Sequence, residues 1–294
     1  MNFSILSNRT KGIIFIILSA FGFAAMSAFV KLAGDLPSFQ KTFFRNLVSL
    51  VVAFALVIKS KESLFGKKEN QVTLLARSIL GTIGIVCNYY AIDRMIHLSD
   101  ATMLNKLSPF FVIIFSAIFL KEKINSKQIT GLIIAFIGML FVVRPTFDLN
   151  MLPALSGVLG GLAAAGAYTC VRHLGGKEKS QTIVFYFSFC STVIIAPLMI
   201  ITYKPMTINQ FMCLMAAGIF ASIGQFGITL AYRFAPAREI SIFDYTNILF
   251  AAIFSFVLFG VWPDALSFAG YIIIFIASLY MFLYNRKLDK MEKK

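Results

Sequence analysis

Apolar residues run along this chain in unbroken stretches of roughly twenty, each closed by charged or turn-forming residues. Ten such stretches can be drawn, over 12–32, 40–58, 74–92, 101–120, 128–144, 154–173, 182–203, 210–232, 239–260 and 266–284. As a helix, each is long enough to cross a hydrocarbon layer of about 30 Å. Their apolar residues are continuous rather than alternating, which predicts helices and not barrel strands. A helix also satisfies its own backbone polar groups in lipid. The longest connection, 59–73, is mostly charge and turn and leaves no room for a soluble domain. The pattern therefore predicts an all-α integral membrane protein with ten transmembrane helices.

The pattern also repeats. Gly131 to Phe141 reads GLIIAFIGMLF, and Gly270 to Tyr280 reads GYIIIFIASLY, with six of eleven positions identical. Each copy lies in the last apolar stretch of its half, so the chain divides into two five-helix units, 1–148 and 149–294, the second ending in a short basic tail. Weaker pairings extend the match. Ile83-Gly84 pairs with Ile223-Gly224, Ala91 with Ala231, Lys31 with Arg172, and Leu107–Leu120 with Tyr245–Leu258. Five is an odd number, so the second unit must enter the membrane from the opposite side. Loop charges exchange accordingly: 59–73 is strongly basic while its counterpart at 204–209 holds only Lys204. Two inverted-topology repeats are the usual plan of a secondary transporter, with the substrate site between them.

Composition excludes a soluble fold, with 59% hydrophobic and 14% charged residues against about 25% charged in soluble domains. Mean hydropathy is +0.82. The net charge of +14 would suggest nucleic acid in a soluble protein, but twenty of the 27 basic residues fall on alternating segments that one topology puts on a single side. Arg77 is counted among them with Lys59, Lys61, Lys67 and Lys68. This positive-inside bias orients a multi-pass protein of the cytoplasmic (inner) membrane with both termini in the cytoplasm, and excludes a nucleic-acid partner. The first stretch is too long for a signal-peptide core. The four cysteines and two histidines show no metal spacing, and neither a catalytic cluster nor a nucleotide-binding loop is present. No cofactor or metal is expected, and no enzymatic activity.

Chemistry is left to charges inside the stretches, which are costly and usually face a cavity. Arg45, Lys106 and Asp244 qualify. Lys106 and Asp244 occupy equivalent positions of the two halves with opposite charge. Asn105 stands beside Lys106, and Tyr245 and Asn247 share the Asp244 neighbourhood. Tyr89, Tyr90 and Gln225 are further candidates to line the site, and Pro109 is expected to bend the fourth helix, as a static kink or as a hinge. Two roles are open to Lys106 and Asp244: they tie the halves together, or they bind opposite ends of a zwitterion, with Asp244 as an alternative proton carrier. Arg45 is placed equally well as an interfacial anchor or as a cavity residue. The small residues of 154–173 read as a tight helix seam.

Ser38-Phe-Gln-Lys-Thr-Phe-Phe-Arg-Asn46, Tyr90-Ala-Ile, Leu98-Ser-Asp-Ala-Thr102 leading into Leu107-Ser-Pro-Phe-Phe111, Gly224-Gln-Phe, Ala231-Tyr-Arg-Phe-Ala-Pro-Ala237 and Tyr245 to Gly260 together resemble the drug/metabolite transporter superfamily. The likeness is to its ten-helix members with two EamA-type repeats, and it spans essentially the whole chain. The family often ends its fourth and ninth helices in a Gly-Glu-like pair. Here the positions read Lys121-Glu122 and Gly260-Val261, so a symmetric role for that carboxylate is not implied. The resemblance implies a carrier of a small organic solute, working by alternating access as a monomer or homodimer in the lipid bilayer. It allows amino-acid-like zwitterions, S-adenosylmethionine-like cations, or the mixed amines of a polyspecific exporter. A non-transporting receptor is the remaining alternative. A coupling proton or a counter-substrate is compatible with all the transport readings.

Overall fold

The computed structural model describes residues 6–94, 104–123, 125–143, 151–260 and 262–292, without the side chains of 89, 92–94, 286 and 288–292. Among the described residues lie ten main helices: α1 (Asn8–Leu32), α2 (Ser38–Ser60), α3 (Gln71–Arg94), α4 (Ser108–Leu120), α5 (Ser126–Val143), α6 (Met151–Leu174), α7 (Ser180–Ile201), α8 (Ile208–Phe234), α9 (Thr246–Phe259) and α10 (Ala265–Glu292). Nine membrane-crossing lengths of apolar helix occur among the described residues, the ninth helix counting with the turns that precede it, and Ser108–Leu120 is a shorter apolar one. Local chemistry sets several ends. Ser7 caps α1 by accepting from the Thr10 amide, and Thr207 forms a capping box with Gln210 at α8. At matching places in the two halves, α4 and α9 stop on left-handed residues, Lys121 and Gly260.

Packing obeys the inverted repeat helix by helix. The α1–α8 contact has its counterpart in α6–α3, α1–α9 in α6–α4, and α2–α8 in α7–α3. The pairs α2–α7 and α5–α10 lie on the pseudo-twofold axis and meet their own counterparts. The result is two groups, α1/α2/α8/α9 and α3/α4/α6/α7, flanked by α5 and α10.

The repeated eleven-residue segment is the α5–α10 seam itself. An ideal Cβ on Gly270 would stand 2.5 Å from the Gly138 carbonyl oxygen, so the backbones touch there. Likewise a Cβ on Gly22 would meet the Gly224 amide at 2.6 Å in the α1–α8 seam. Small residues thus permit backbone-to-backbone packing where lipid supplies no hydrophobic drive. Large apolar side chains such as Val51, Phe119, Ile201, Val257 and Phe275 cover the outside of the bundle.

One symmetry relation is broken. α6 packs against α8, but their counterparts α1 and α3 lack a contact of similar extent. Between α1 and α3 lies a cavity.

Candidate functional site

Of the three predicted charges, Arg45 sits in the unbroken α2, whereas the helices that carry Lys106 and Asp244 are both interrupted at those charges. Helical Leu104-Asn105 gives way to a turn at Lys106-Leu107 before α4 begins at Ser108. In the second half a short helical turn, Ala237–Ile240, passes into a 3-10 segment, Ser241–Tyr245, before α9. The cause in the first half is Pro109, which supplies no amide and crowds the carbonyl of Asn105, four residues back. Pro109 therefore does not bend a continuous helix, as the sequence suggested. It stands in the first turn of a new one, where a missing amide costs nothing. The break frees the Lys106 carbonyl, and Tyr245 answers it: the Tyr245 hydroxyl donates to Lys106 O at 3.0 Å.

Across this double interruption the Lys106 Nζ lies 3.0 Å from Asp244 Oδ2. Asn247 in the first turn of α9 donates to the Ala20 carbonyl at 2.9 Å, tying α9 to α1. The Lys106–Asp244 pair borders a cavity of about 630 Å³, lined by α1, α2, α3, α4, α6 and α9 with Phe187 from α7 and Gln225 from α8. Exposure falls from Lys31, near the α1–α2 turn, to Arg77, which is 1% exposed, so the cavity opens at the end of the bundle that carries that turn. At the other end α6 and α8 close it. Tyr168 and Tyr232 stack with ring centroids 5.5 Å apart, and the Arg172 guanidinium donates to the Tyr232 carbonyl at 3.3 Å. Arg172 also pairs with Glu122, and Arg9 with Glu239, each at 2.8 Å. Arg238 donates to the Lys123 carbonyl between the two groups of helices.

The structure gathers most of the sequence candidates. Arg45, Asn105, Lys106, Gln225, Asp244 and Asn247 all line the cavity. Arg45 is 5% exposed, so of its two readings the cavity is the one realised. Tyr245 is fully buried behind the cavity wall, against Phe136, and acts only through the Lys106 carbonyl. Tyr90 is 38% exposed on the outer surface and does not reach the cavity, so the expectation that it lines the site is corrected. The Tyr89 side chain lies outside the described residues. No metal-binding cluster occurs among the described residues.

Sequence reasoning missed Arg77. It was counted with the loop charges, yet it lies in the second turn of α3, buried at the cavity floor. The signal was available, because Arg77 falls inside the apolar stretch drawn at 74–92. Lys31, Lys41, Asn88, Tyr168 and Phe187 also line the cavity and were not proposed for it. Among the described residues its lysine, arginine and carboxylate side chains are thus five bases, all from the first half, and one acid from the second. A second cavity of about 700 Å³ between α3, α4 and α6 is almost wholly apolar and offers no comparable recognition.

An inverted pair of five-helix units around a central polar cavity open at one end is the architecture of a membrane carrier. A solved structure supports the fold with a TM-score of 0.82 over 95% of this chain and 99% of the other, at 12% identity. The EamA-like transporter family model matches residues 10–144 and 151–283, one copy per half, and the chain belongs to that family. It is 32% identical to the pseudopaline exporter CntI of Pseudomonas aeruginosa over 92% of this chain and 95% of that protein. It is 28% identical to human solute carrier family 35 member G1, covering 85% of this chain and 72% of the relative. A riboflavin transporter of Brucella anthropi is 26% identical over 88% and 94% of the respective chains. The protein is a multi-pass membrane transporter of the drug/metabolite transporter superfamily.

Proposed function

We propose that this transporter moves a small amino-acid-like zwitterion out of the cell by alternating access, and that the end closed by Tyr168 and Tyr232 faces the cytoplasm. The observation that carries the reading is the Lys106–Asp244 pair at 3.0 Å, which spans the two helix groups where both supporting helices are interrupted. Side chains on broken helices at a repeat interface are the recurring site of solute binding in such folds. A solute ammonium at Asp244 and a carboxylate at Lys106 would replace the pair with two substrate contacts, and so couple occupancy to the relation between the groups. The orientation follows from the basic segments at the closed end, and the outward direction from the relative named as an exporter.

A polyspecific exporter is the second reading. Phe23, Phe187, Phe254 and Phe259 line the same cavity and would accept varied apolar groups.

Flux in proteoliposomes decides between them. The panel is labelled neutral, basic and acidic amino acids, S-adenosylmethionine, a quaternary amine and a dicarboxylate. The expected outcome is saturable flux of one zwitterion, reduced at least about tenfold by Asp244→Asn with normal folded yield. Flux of unrelated cations that is indifferent to Asp244→Asn supports the polyspecific reading and returns the pair to a structural role.

A further inference from the structure

We propose that Arg77 seats an oxyanion of the transported solute, a carboxylate or a phosphate monoester, and that Arg45 supplies a second cation, so that the solute carries net negative charge. This rests on the reading of the central cavity as the transport path, and it names the class of solute that the cavity takes.

Arg77 is 1% exposed, and its guanidinium lies on the Phe187 ring with Cζ 3.7 Å from the centroid. Its Nη2 donates to Gln225 Oε1 at 3.0 Å. Both partners are neutral. Nε and Nη1 have no hydrogen-bond partner, and no carboxylate pairs with Arg77 among the described residues. Gly81, one helical turn on, keeps the space beside the guanidinium open: an ideal Cβ there would stand 2.7 Å from Nη1.

A buried guanidinium without a counter-charge is costly to hold. Here it is fixed in place by a ring face and an amide oxygen, with two donor nitrogens unused beside a cavity. That arrangement suits an incoming planar anion, which the guanidinium fork accepts with high geometric preference. Arg45, 5% exposed on the same cavity, has an unpartnered Nε. Asp244, the one acid that lines the cavity among the described residues, is already engaged by Lys106. Among the described residues nothing lining the cavity neutralises the two arginines, and in this proposal the neutralising charge comes with the solute.

The test is equilibrium binding to the purified full-length protein with L-alanine, L-aspartate, citrate and glycerol 3-phosphate as probes. Wild type is expected to bind citrate and aspartate, or glycerol 3-phosphate, at least about tenfold more tightly than alanine. Arg77→Gln should erase that preference, and Arg77→Lys should restore it in part. The unliganded Arg77→Gln protein should unfold at a temperature no lower than wild type, because it loses an unpaired charge; a merely structural arginine would give the opposite. Binding of every anion unchanged by Arg77→Gln, or no anion bound more tightly than alanine, overturns the proposal. Failure of the transport-path reading is separable: it appears as no flux of any probe in proteoliposomes of a protein that still binds the anion at Arg77.

Discussion

Replacing Tyr168 with leucine should loosen the closed end of the bundle and shift the protein towards its opposite opening. The Tyr168 and Tyr232 rings stack at 5.5 Å with an interplanar angle of 18°, between helices that belong to different groups. Such a pair contributes about 0.5–1.5 kcal/mol beyond the area it buries. The repeat offsets that pair Lys31 with Arg172 and Ala91 with Ala231 place Ser27 and Ile92 at the corresponding positions of α1 and α3. Closure at that end would therefore bring no ring stack, and the conformation seen here gains the stack alone. Losing it changes the ratio of the two states by about two- to twelvefold. Leucine keeps most of the apolar surface, and its wetting when that end opens opposes the shift by a smaller amount. The Arg172 bond to the Tyr232 carbonyl is left intact.

Spin-label distances on a cysteine-free background read the shift. Labels at Lys59 and Lys123 straddle the closed end, and labels at Asp35 and Leu152 straddle the open one. The substitution should lengthen the first distance and shorten the second, in the same fraction of molecules. Unchanged distributions at both ends would refute the ring pair as a gate. A change at one end alone would refute the reciprocal movement of the two groups.

Two further outcomes follow from the broken helices. Tyr245→Phe removes the donor to the Lys106 carbonyl and leaves a part-buried acceptor short of a partner, at a cost of about 0.5–1.5 kcal/mol; a thermal unfolding midpoint equal to wild type would show that the carbonyl is satisfied elsewhere. Exchanging the charges, Lys106→Asp with Asp244→Lys, should re-form the 3.0 Å pair and preserve folding while abolishing flux, because the cavity dipole is reversed. Flux at the wild-type rate in the exchanged protein would reduce the pair to a tie between halves.

The sequence exposed what is written locally and along one period. The stretch 40–58 became Ser38–Ser60 and 182–203 became Ser180–Ile201, because chain length in lipid and end-capping residues are local properties. The repeat at 131–141 and 270–280 marked the very seam where α5 meets α10. Lys106 and Asp244 were found because charge in an apolar stretch is conspicuous and their shared offset predicts convergence. Arg77 escaped because it stands nine residues after Lys68, the last base of a basic loop, and is grouped with it. Its burial depends on Phe187 and Gln225, from two distant helices. Tyr90 failed for the complementary reason: its ring type fitted a binding site, but its helical face turns outward. Pro109 marked a real irregularity, placed correctly in the chain and wrongly as a kink, since a proline describes a break and a helix start equally well.

The fold is symmetric and its cavity is not, and the difference locates specificity. A seam such as α5–α10 needs the same small and apolar residues from both halves, so the repeat persists there. The charged cavity wall diverges: Lys31, Lys41, Arg45, Arg77 and Lys106 come from the first half and Asp244 from the second. Because helices of both halves enter both groups, movement of one group against the other carries Arg77 and Lys106 past Asp244, which travels with Lys31, Lys41 and Arg45. A neutral solute would feel little of that field. A solute with an anionic body and one cationic group would keep its orientation throughout, held at one end by the arginines and at the other by Asp244. Symmetry accordingly provides the two openings, while the departure from symmetry in the charges selects what passes between them.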